Sequence, residues 1–260
     1  MAFLAVQRTG RRGIVELMRG LIDLVLPAWC VGCGEPGATG CASCLRPLDA
    51  PARWTRPEPA PAGLPPVATI AAYDGPVRDL LIGYKEHGAR VLARPLGAAL
   101  GRSLALAASL AARPLAVVPV PSSSRQCRRR GGDLVAELAL AAARELGAPA
   151  DVVRALRHVR PVADSAGLDA QARAGNTAGA LGLRRGAGSM LAGRPVVIVD
   201  DLVTTGASLT EAARALRDAG ATVAAAATVA ATSREHLLRP ARGTGIRSPA
   251  AQPHRRALRC

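Results

Sequence analysis

The sequence contains very few aromatic residues. Phe, Trp and Tyr together make up 2% of its 260 residues, although 49% of the residues are hydrophobic. A core of large aromatic side chains is therefore excluded, and we expect a core of Val, Leu, Ile and Ala. The shortage of rings also argues against a surface on which nucleic-acid bases stack.

Long apolar segments are missing as well. The longest stretches without a charged side chain, such as Ala219 to Ser233, are shorter than the roughly 20 residues that span a bilayer, so we expect no membrane insertion. The apolar run Leu21 to Leu26 is short and contains Asp23, which is atypical of a signal peptide. We expect a cytoplasmic protein, whose cysteines are reduced or bound to metal.

Lysine is almost absent, since Lys85 is the sole lysine in a chain with 34 Lys and Arg residues and a net charge of +15. An arginine excess of this size fits a polyanionic partner such as nucleic acid. It fits biased codon usage equally well. The charge alone does not decide between these two explanations.

The pattern along the chain predicts five segments. An amphipathic helix in residues 1–26 precedes a cysteine module, residues 27–50, and a proline-rich linker, residues 51–66. From residue 67 to 232, short apolar runs alternate with helical patterns, which is typical of βαβ units and a parallel sheet flanked by helices. Residues 233–260 are basic, lack apolar periodicity and are predicted to be disordered.

Two C-x-x-C pairs, Cys30 with Cys33 and Cys41 with Cys44, are separated by a short glycine-containing loop. Two such turns bring four thiolates to one tetrahedral site, so the spacing favours a structural zinc ion. Two disulfides or four unbound thiols are the alternatives. The remaining Cys127 lies in an arginine-rich segment predicted to be a loop.

The segment VVIVDDLVTTGAS, Val196 to Ser208, joins an apolar strand to a helix that we predict to begin at Leu209. We call residues Asp200–Ser208 the TTG loop. Amide groups at a helix start and hydroxyl groups attract a phosphate, so we assign ligand binding to Thr204, Thr205, Gly206, Ala207 and Ser208. Asp200 and Asp201 would repel a phosphate, and we assign them to ribose hydroxyls or a divalent cation. A simple helix cap with solvated aspartates is the alternative.

Three further groups are candidates for the same ligand. Ser122 and Ser123 follow a buried strand in what we call the serine turn, residues 119–124, and Arg125 and Arg130 come soon after, a plausible diphosphate cradle. Lys85 would stabilise leaving-group charge, or is an ordinary surface residue. Arg173 and Asn176 share one helical face and either line the cleft or cap neighbouring backbone.

The TTG loop resembles the signature of type I phosphoribosyltransferases. From about Leu24 to Thr232 the chain also resembles the ComF family, phosphoribosyltransferase-like proteins associated with bacterial competence and DNA uptake. The blocks that carry this likeness are LPAWCVGC, CASC, YDGPVRDLLIGYKEHG, VPVPSSSRQCRRRGGDLV, RHVRPVADSAGLDAQARAGN and DDLVTTGAS. Where the family usually has Arg-Gly-Phe-Asn-Gln, this chain has RGGDL at residues 130–134.

The resemblance implies an α/β fold of the type I phosphoribosyltransferase kind, with a small amino-terminal four-cysteine zinc module. It further implies that the ligand is phosphoribosyl diphosphate with magnesium. The leading hypothesis is transfer of the phosphoribosyl group to a nitrogen acceptor, assisted by Asp200, Asp201 and Lys85. The second is a ligand-sensing protein of DNA uptake that contacts single-stranded DNA or the competence machinery, and the third is a degenerate, purely structural domain.

Overall fold

The computed structural model describes residues 28–112, 114–146, 150–161 and 175–232. The predicted amino-terminal helix and the predicted basic tail lie outside the described residues. So does Arg173. The strands are β1 (Arg53–Thr55), β2 (Val67–Thr69), β3 (Ala71–Ala72), β4 (Leu115–Pro119), β5 (Ala150–Val152), β6 (Leu156–His158), β7 (Leu181–Leu183), β8 (Val196–Val199), β9 (Leu202–Val203), β10 (Val223–Ala227) and β11 (Ala230–Ala231). The α-helices that lie wholly within the described residues are α1 (Ala42–Leu45), α2 (Gly75–Glu86), α3 (Ala93–Ala108), α4 (Ser124–Arg130), α5 (Leu134–Glu145), α6 (Ala187–Leu191) and α7 (Ala207–Asp218).

A six-stranded sheet with the order β1-β2-β10-β8-β4-β5 forms the centre of the fold. All neighbouring strands are parallel except β1, which pairs antiparallel with β2 at the edge. Every residue of β4 and β8 is buried, as expected for parallel strands covered on both faces. The predicted α/β class with a parallel sheet between helices is therefore confirmed.

After a short break, strands β2, β8 and β10 of this sheet are followed by β3, β9 and β11, which form a second small sheet. There β11 lies between β3 and β9, parallel to both. The apolar run at residues 67–73, predicted as one strand, is split in this way into β2 and β3. Asp200 and Asp201 lie at the corresponding break between β8 and β9, so their side chains are at the carboxyl end of a central strand, where ligands bind in open α/β sheets.

Helix α3 packs closely against α5. A Cβ atom at Gly97 would lie 2.4 Å from the Cβ of Ala141, so the two helices approach at a distance that only glycine permits. The helical segment Arg90–Ala108 is long and apolar enough to be a candidate membrane span. However, 56% of its apolar stretch is buried inside the protein. Its residues Leu96, Leu100 and Leu104 have no solvent exposure, as in the core helix of a globular domain.

Two local structures differ from the sequence prediction. Residues 53–55, inside the predicted linker, form the edge strand β1, because Arg-Trp-Thr contains no proline and its amides can pair with β2. The arginine-rich segment after the serine turn is the helix α4 rather than a loop. Ser123 and Gln126 form a reciprocal capping box at its start, and Gly131, with φ 72°, ends it.

Candidate functional site

The TTG loop begins with two aspartates in different environments. Asp201 is 4% exposed, and its carboxylate forms an ion pair with the ammonium group of Lys85. Asp200 accepts a hydrogen bond from the amide of Asp201 at 2.9 Å and is partly buried. The structure thus brings together Asp200, Asp201 and Lys85, which the sequence places more than a hundred residues apart.

Burial shifts the pKa values of Asp200 and Lys85. It raises the pKa of Asp200 to about 7, assisted by the nearby carboxylate of Asp133 and opposed by Lys85. It lowers the pKa of Lys85, which is also lowered by Arg130 and raised by Asp200 and Glu86. Burial therefore shifts both groups towards their neutral forms.

The second half of the loop turns into helix α7. Gly206 has φ 78°, in the left-handed region that favours glycine, and the helix begins at Ala207, two residues earlier than predicted. The first amide groups of a helix have no carbonyl partner within it, so those of Ser208 and Leu209 are available to an anion. Thr204 and Thr205 are partly buried beside them, and Ser208 is exposed.

The serine turn lies next to the TTG loop, because Val120 donates a backbone hydrogen bond to Val199 at 2.9 Å. Its two candidate hydroxyls are engaged within the protein. The Ser122 hydroxyl donates to Asp133 at 3.1 Å, and Ser123 caps α4. The imidazole of His158 contacts the carbonyl of Pro121 at 3.0 Å and so ties strand β6 to the same turn.

The arginines of α4 divide into two groups. Arg130 and Arg129 both pair with Glu86 in the last turn of α2, and the Arg130 side chain is only 14% exposed. Arg130 is thus beside Lys85, as a diphosphate cradle requires. Arg125 and Arg128 are exposed and form no ion pair within the described ranges. Arg125 therefore does not belong to the group of arginines that pairs with Glu86.

Asp133 contributes a carboxylate beside this site that the sequence does not predict. It accepts hydrogen bonds from the amide of Ala136 and the hydroxyl of Ser122, pairs with Arg154 at 3.3 Å, and its side chain is 7% exposed. It also lines a cleft of about 270 Å³ with Glu137. Its position directly before an apolar helical pattern is the signal for a helix cap, but no sequence signal places it near Asp200.

Another residue without a sequence signal is Glu211 of α7, which is 5% exposed. It accepts a hydrogen bond from the amide of Leu181 at 2.9 Å and pairs with Arg214 at 2.7 Å. Although burial acts to raise its pKa, these hydrogen bonds hold the pKa of Glu211 below its usual value. Glu211 therefore fixes strand β7 to the helix that follows the TTG loop. The backbone carbonyl of Asn176, a predicted cleft residue, accepts a hydrogen bond from the guanidinium group of Arg160 at 3.1 Å.

The four cysteines of the cysteine module form one cluster, and their sulfur atoms all lie within 4.8 Å of one another. A tetrahedral zinc site with zinc–sulfur bonds of about 2.3 Å would place the sulfurs roughly 3.8 Å apart. The sulfurs of Cys33 and Cys41 are separated by 3.6 Å, and the amide of Cys41 donates to the sulfur of Cys30 at 3.4 Å. The cluster therefore has the composition and size that a metal ion such as zinc requires.

Comparison with known proteins agrees with this geometry. A family model described as phosphoribosyl transferase domain matches residues 91–243, a range that contains the serine turn and the TTG loop. Lys85 and the four cysteines precede the matched range. No curated protein matches the chain significantly. Because the family model covers more than half of the chain, the protein belongs to the phosphoribosyl transferase domain family.

Proposed function

We propose that this protein binds phosphoribosyl diphosphate together with magnesium and transfers the phosphoribosyl group to a nitrogen acceptor. The observation that carries the proposal is the TTG loop, where the buried Asp201, the partly buried Asp200, a lysine and a helix start converge. We also propose that the protein belongs to the ComF family and acts in competence. A cytoplasmic location, where thiols stay reduced for metal binding, is part of the proposal as well.

Each part of the site has a role in this reaction. Residues 204–208 bind the 5′-phosphate with amide and hydroxyl donors, and the carboxylates of Asp200 and Asp201 accept hydrogen bonds from the ribose hydroxyls. Magnesium, when bound with the ligand, supplies positive charge for the diphosphate, and the two aspartates are the residues that would hold it. Lys85 and Arg130 place two cations on the side where the diphosphate departs.

The reaction itself needs no covalent intermediate with the protein. The nitrogen of the acceptor forms a bond to C1′ while the bond from C1′ to the diphosphate oxygen breaks, and the diphosphate leaves with the electron pair. The protein contributes by holding the two reactants in line and by stabilising charge on the leaving group. Asp133 and its cleft lie beside the serine turn, in the block where the chain departs from the ComF pattern.

Calorimetric titration with phosphoribosyl diphosphate and Mg²⁺ tests the proposal. We expect the unmodified protein to bind, and the variants Asp200→Asn and Asp201→Asn to bind at least about tenfold more weakly, as for lost charge-assisted contacts. Asp74→Asn is the matched control, because Asp74 is exposed and its side chain makes no helix-cap hydrogen bond. Absence of binding by the unmodified protein would contradict the proposal.

A second candidate function is ligand sensing in DNA uptake without transfer. The exposed arginines of α4, next to the ligand site, favour it as a contact for single-stranded DNA or another acidic partner. Release of diphosphate after nucleobases are added distinguishes transfer from sensing. A salt-dependent electrophoretic mobility shift of single-stranded DNA that is weakened in Arg125→Ala/Arg128→Ala would support the sensing role. The same assay on the protein without residues 233–260 tests whether the predicted tail contributes to DNA binding.

A further inference from the structure

Helix α2 connects the candidate ligand site to the cysteine module. Three consecutive residues of its last turn each contact a different element of the site. The Tyr84 hydroxyl donates to the carbonyl of Leu134 at 3.2 Å, Lys85 pairs with Asp201, and Glu86 pairs with Arg129 at 2.6 Å and with Arg130. A small movement of this turn would therefore disturb α5, the TTG loop and α4 together.

The same part of α2 rests on the cysteine module. A Cβ atom at Gly83 would lie 2.9 Å, 3.1 Å and 3.2 Å from Cγ2, Cβ and Cγ1 of Val31, which is the residue after Cys30. At the other end of the helix, a Cβ at Gly32 would lie 2.9 Å from the sulfur of Cys44 and 3.6 Å from Pro76. The first cysteine turn is thus packed directly against the helix, two residues before Lys85.

The backbone hydrogen bonds of the cysteine turn run from Gly34 to Cys30 and from Cys30 to Glu35, both at 2.8 Å, and from Val31 to Thr39 at 3.0 Å. All three lie within the cysteine module, which is too small to bury a large core of its own. Four close thiolates repel one another without a cation, and a bound metal ion therefore supplies much of the order of such a module. The position of Val31 should depend on that ion.

We propose that the metal-loaded cysteine module positions the last turn of α2, so that binding of the metal ion and binding of the phosphoribosyl ligand are coupled through Val31 and Gly83. The identity of the ligand rests on the proposed function. Coupling is reciprocal, so zinc should tighten ligand binding by the same factor by which the ligand tightens zinc binding. Couplings between sites commonly amount to about fivefold or more, which sets the expected size.

Gly83→Ala tests the contact directly. Alanine is favoured over glycine inside a helix, so propensity alone predicts a more stable α2. In the zinc-loaded protein Val31 is held in place and the helix has to shift, so we expect ligand affinity to fall about fivefold or more with no loss of melting temperature. Val31→Ala removes both Cγ atoms and leaves only the Cβ contact at 3.1 Å, so combined with Gly83→Ala it should restore part of the affinity. Gly188→Ala in α6 is the control, because nothing lies within 4 Å of its Cβ position.

The metal dependence supplies the second half of the test. After zinc is removed with a chelator, we expect weaker binding of phosphoribosyl diphosphate with Mg²⁺ and no further difference between Gly83→Ala and the unmodified protein. Unchanged affinity of zinc-loaded Gly83→Ala would overturn the inference. A loss that Val31→Ala does not reduce would also overturn it.

A measurement without ligand separates this inference from the proposed function. The amides of His87 and Ala89 donate to the carbonyl of Gly83 at 3.2 Å and 3.1 Å, so their hydrogen exchange reports on the last turn. We expect faster exchange at both amides when zinc is removed. If phosphoribosyl diphosphate does not bind at all, the proposed function fails, and this exchange still decides whether the metal ion positions the last turn of α2. Equal exchange with and without zinc would refute that positioning and with it the inference.

Discussion

Replacing Asp200 by asparagine should stabilise the protein while it weakens ligand binding. Burial raises the pKa of this carboxyl from 3.8 to about 7, so the folded protein holds the proton more tightly than the unfolded chain does. The unfavourable ionisation in the folded state therefore develops as the pH rises above 3.8 and is complete above about pH 7. Asparagine avoids it and still offers an oxygen to the amide of Asp201.

The size of the gain follows from the shift. About three pKa units correspond to roughly 4 kcal/mol as an upper limit. Asp200 also favours the charged form of Lys85 and is only partly buried, and both effects reduce the gain. We expect about 1–2 kcal/mol above pH 7, or a rise in Tm of about 3–6 °C.

Denaturant unfolding of Asp200→Asn and the unmodified protein, measured between pH 4 and pH 8, tests this prediction. The difference in the free energy of unfolding should be near zero at pH 4 and should grow until pH 7. Asp74→Asn, at an exposed position, should show no comparable growth. A difference that is the same at every pH, or a loss of stability above pH 7, would refute the electrostatic explanation.

Four further predictions concern other parts of the protein. Lys85→Met should let Mn²⁺ bind alone about tenfold more tightly, because the ammonium no longer neutralises Asp201; equal affinity in a calorimetric titration would contradict this. Tyr84→Phe should cost about 1 kcal/mol in denaturant unfolding, because the buried carbonyl of Leu134 loses a donor, and an unchanged midpoint would exclude it. Glu211→Gln should destabilise by about 1–3 kcal/mol at pH 7, and the loss should shrink as the pH falls below the usual pKa of a glutamate and through the lowered pKa of Glu211. Cys41→Ser should reduce bound zinc measured by atomic absorption, whereas Cys127→Ser, outside the cluster, should leave it unchanged.

Local patterns predicted the parts of the site that are continuous in sequence. The apolar run before Asp200 predicted strand β8, and the hydroxyl-rich turn predicted the start of a helix, because both depend on neighbouring residues. The spacing of the cysteines predicted their cluster for the same reason. What no local pattern could supply is the pairing of Lys85 with Asp201, since it depends on how α2 packs against the sheet.

Other features of the site could not be predicted from the types of residue in the sequence. The run of arginines after the serine turn reads as a solvated loop, yet the capping box of Ser123 and Gln126 makes it a helix, which directs Arg130 towards Glu86. Asp133 lies in the block that departs from the ComF pattern, and only the fold places its carboxylate close enough to raise the pKa of Asp200. The contact of Val31 with Gly83 is likewise a tertiary feature of two unremarkable residues.

The presence of lysine rather than arginine at residue 85 can be understood from how burial affects the two side chains. Arginine keeps its proton in proteins, whereas a buried lysine readily changes its pKa, and here burial lowers the pKa of Lys85 while it raises that of Asp200. Burial thus disfavours the charged form of each group. A ligand that carries a polyanionic diphosphate and a divalent cation offers each group the opposite charge and so favours its charged form. Lys85→Arg would keep the charge but replace a compact ammonium by a planar group beside a carboxylate that is only 4% exposed, so it should weaken ligand binding although it is conservative in charge.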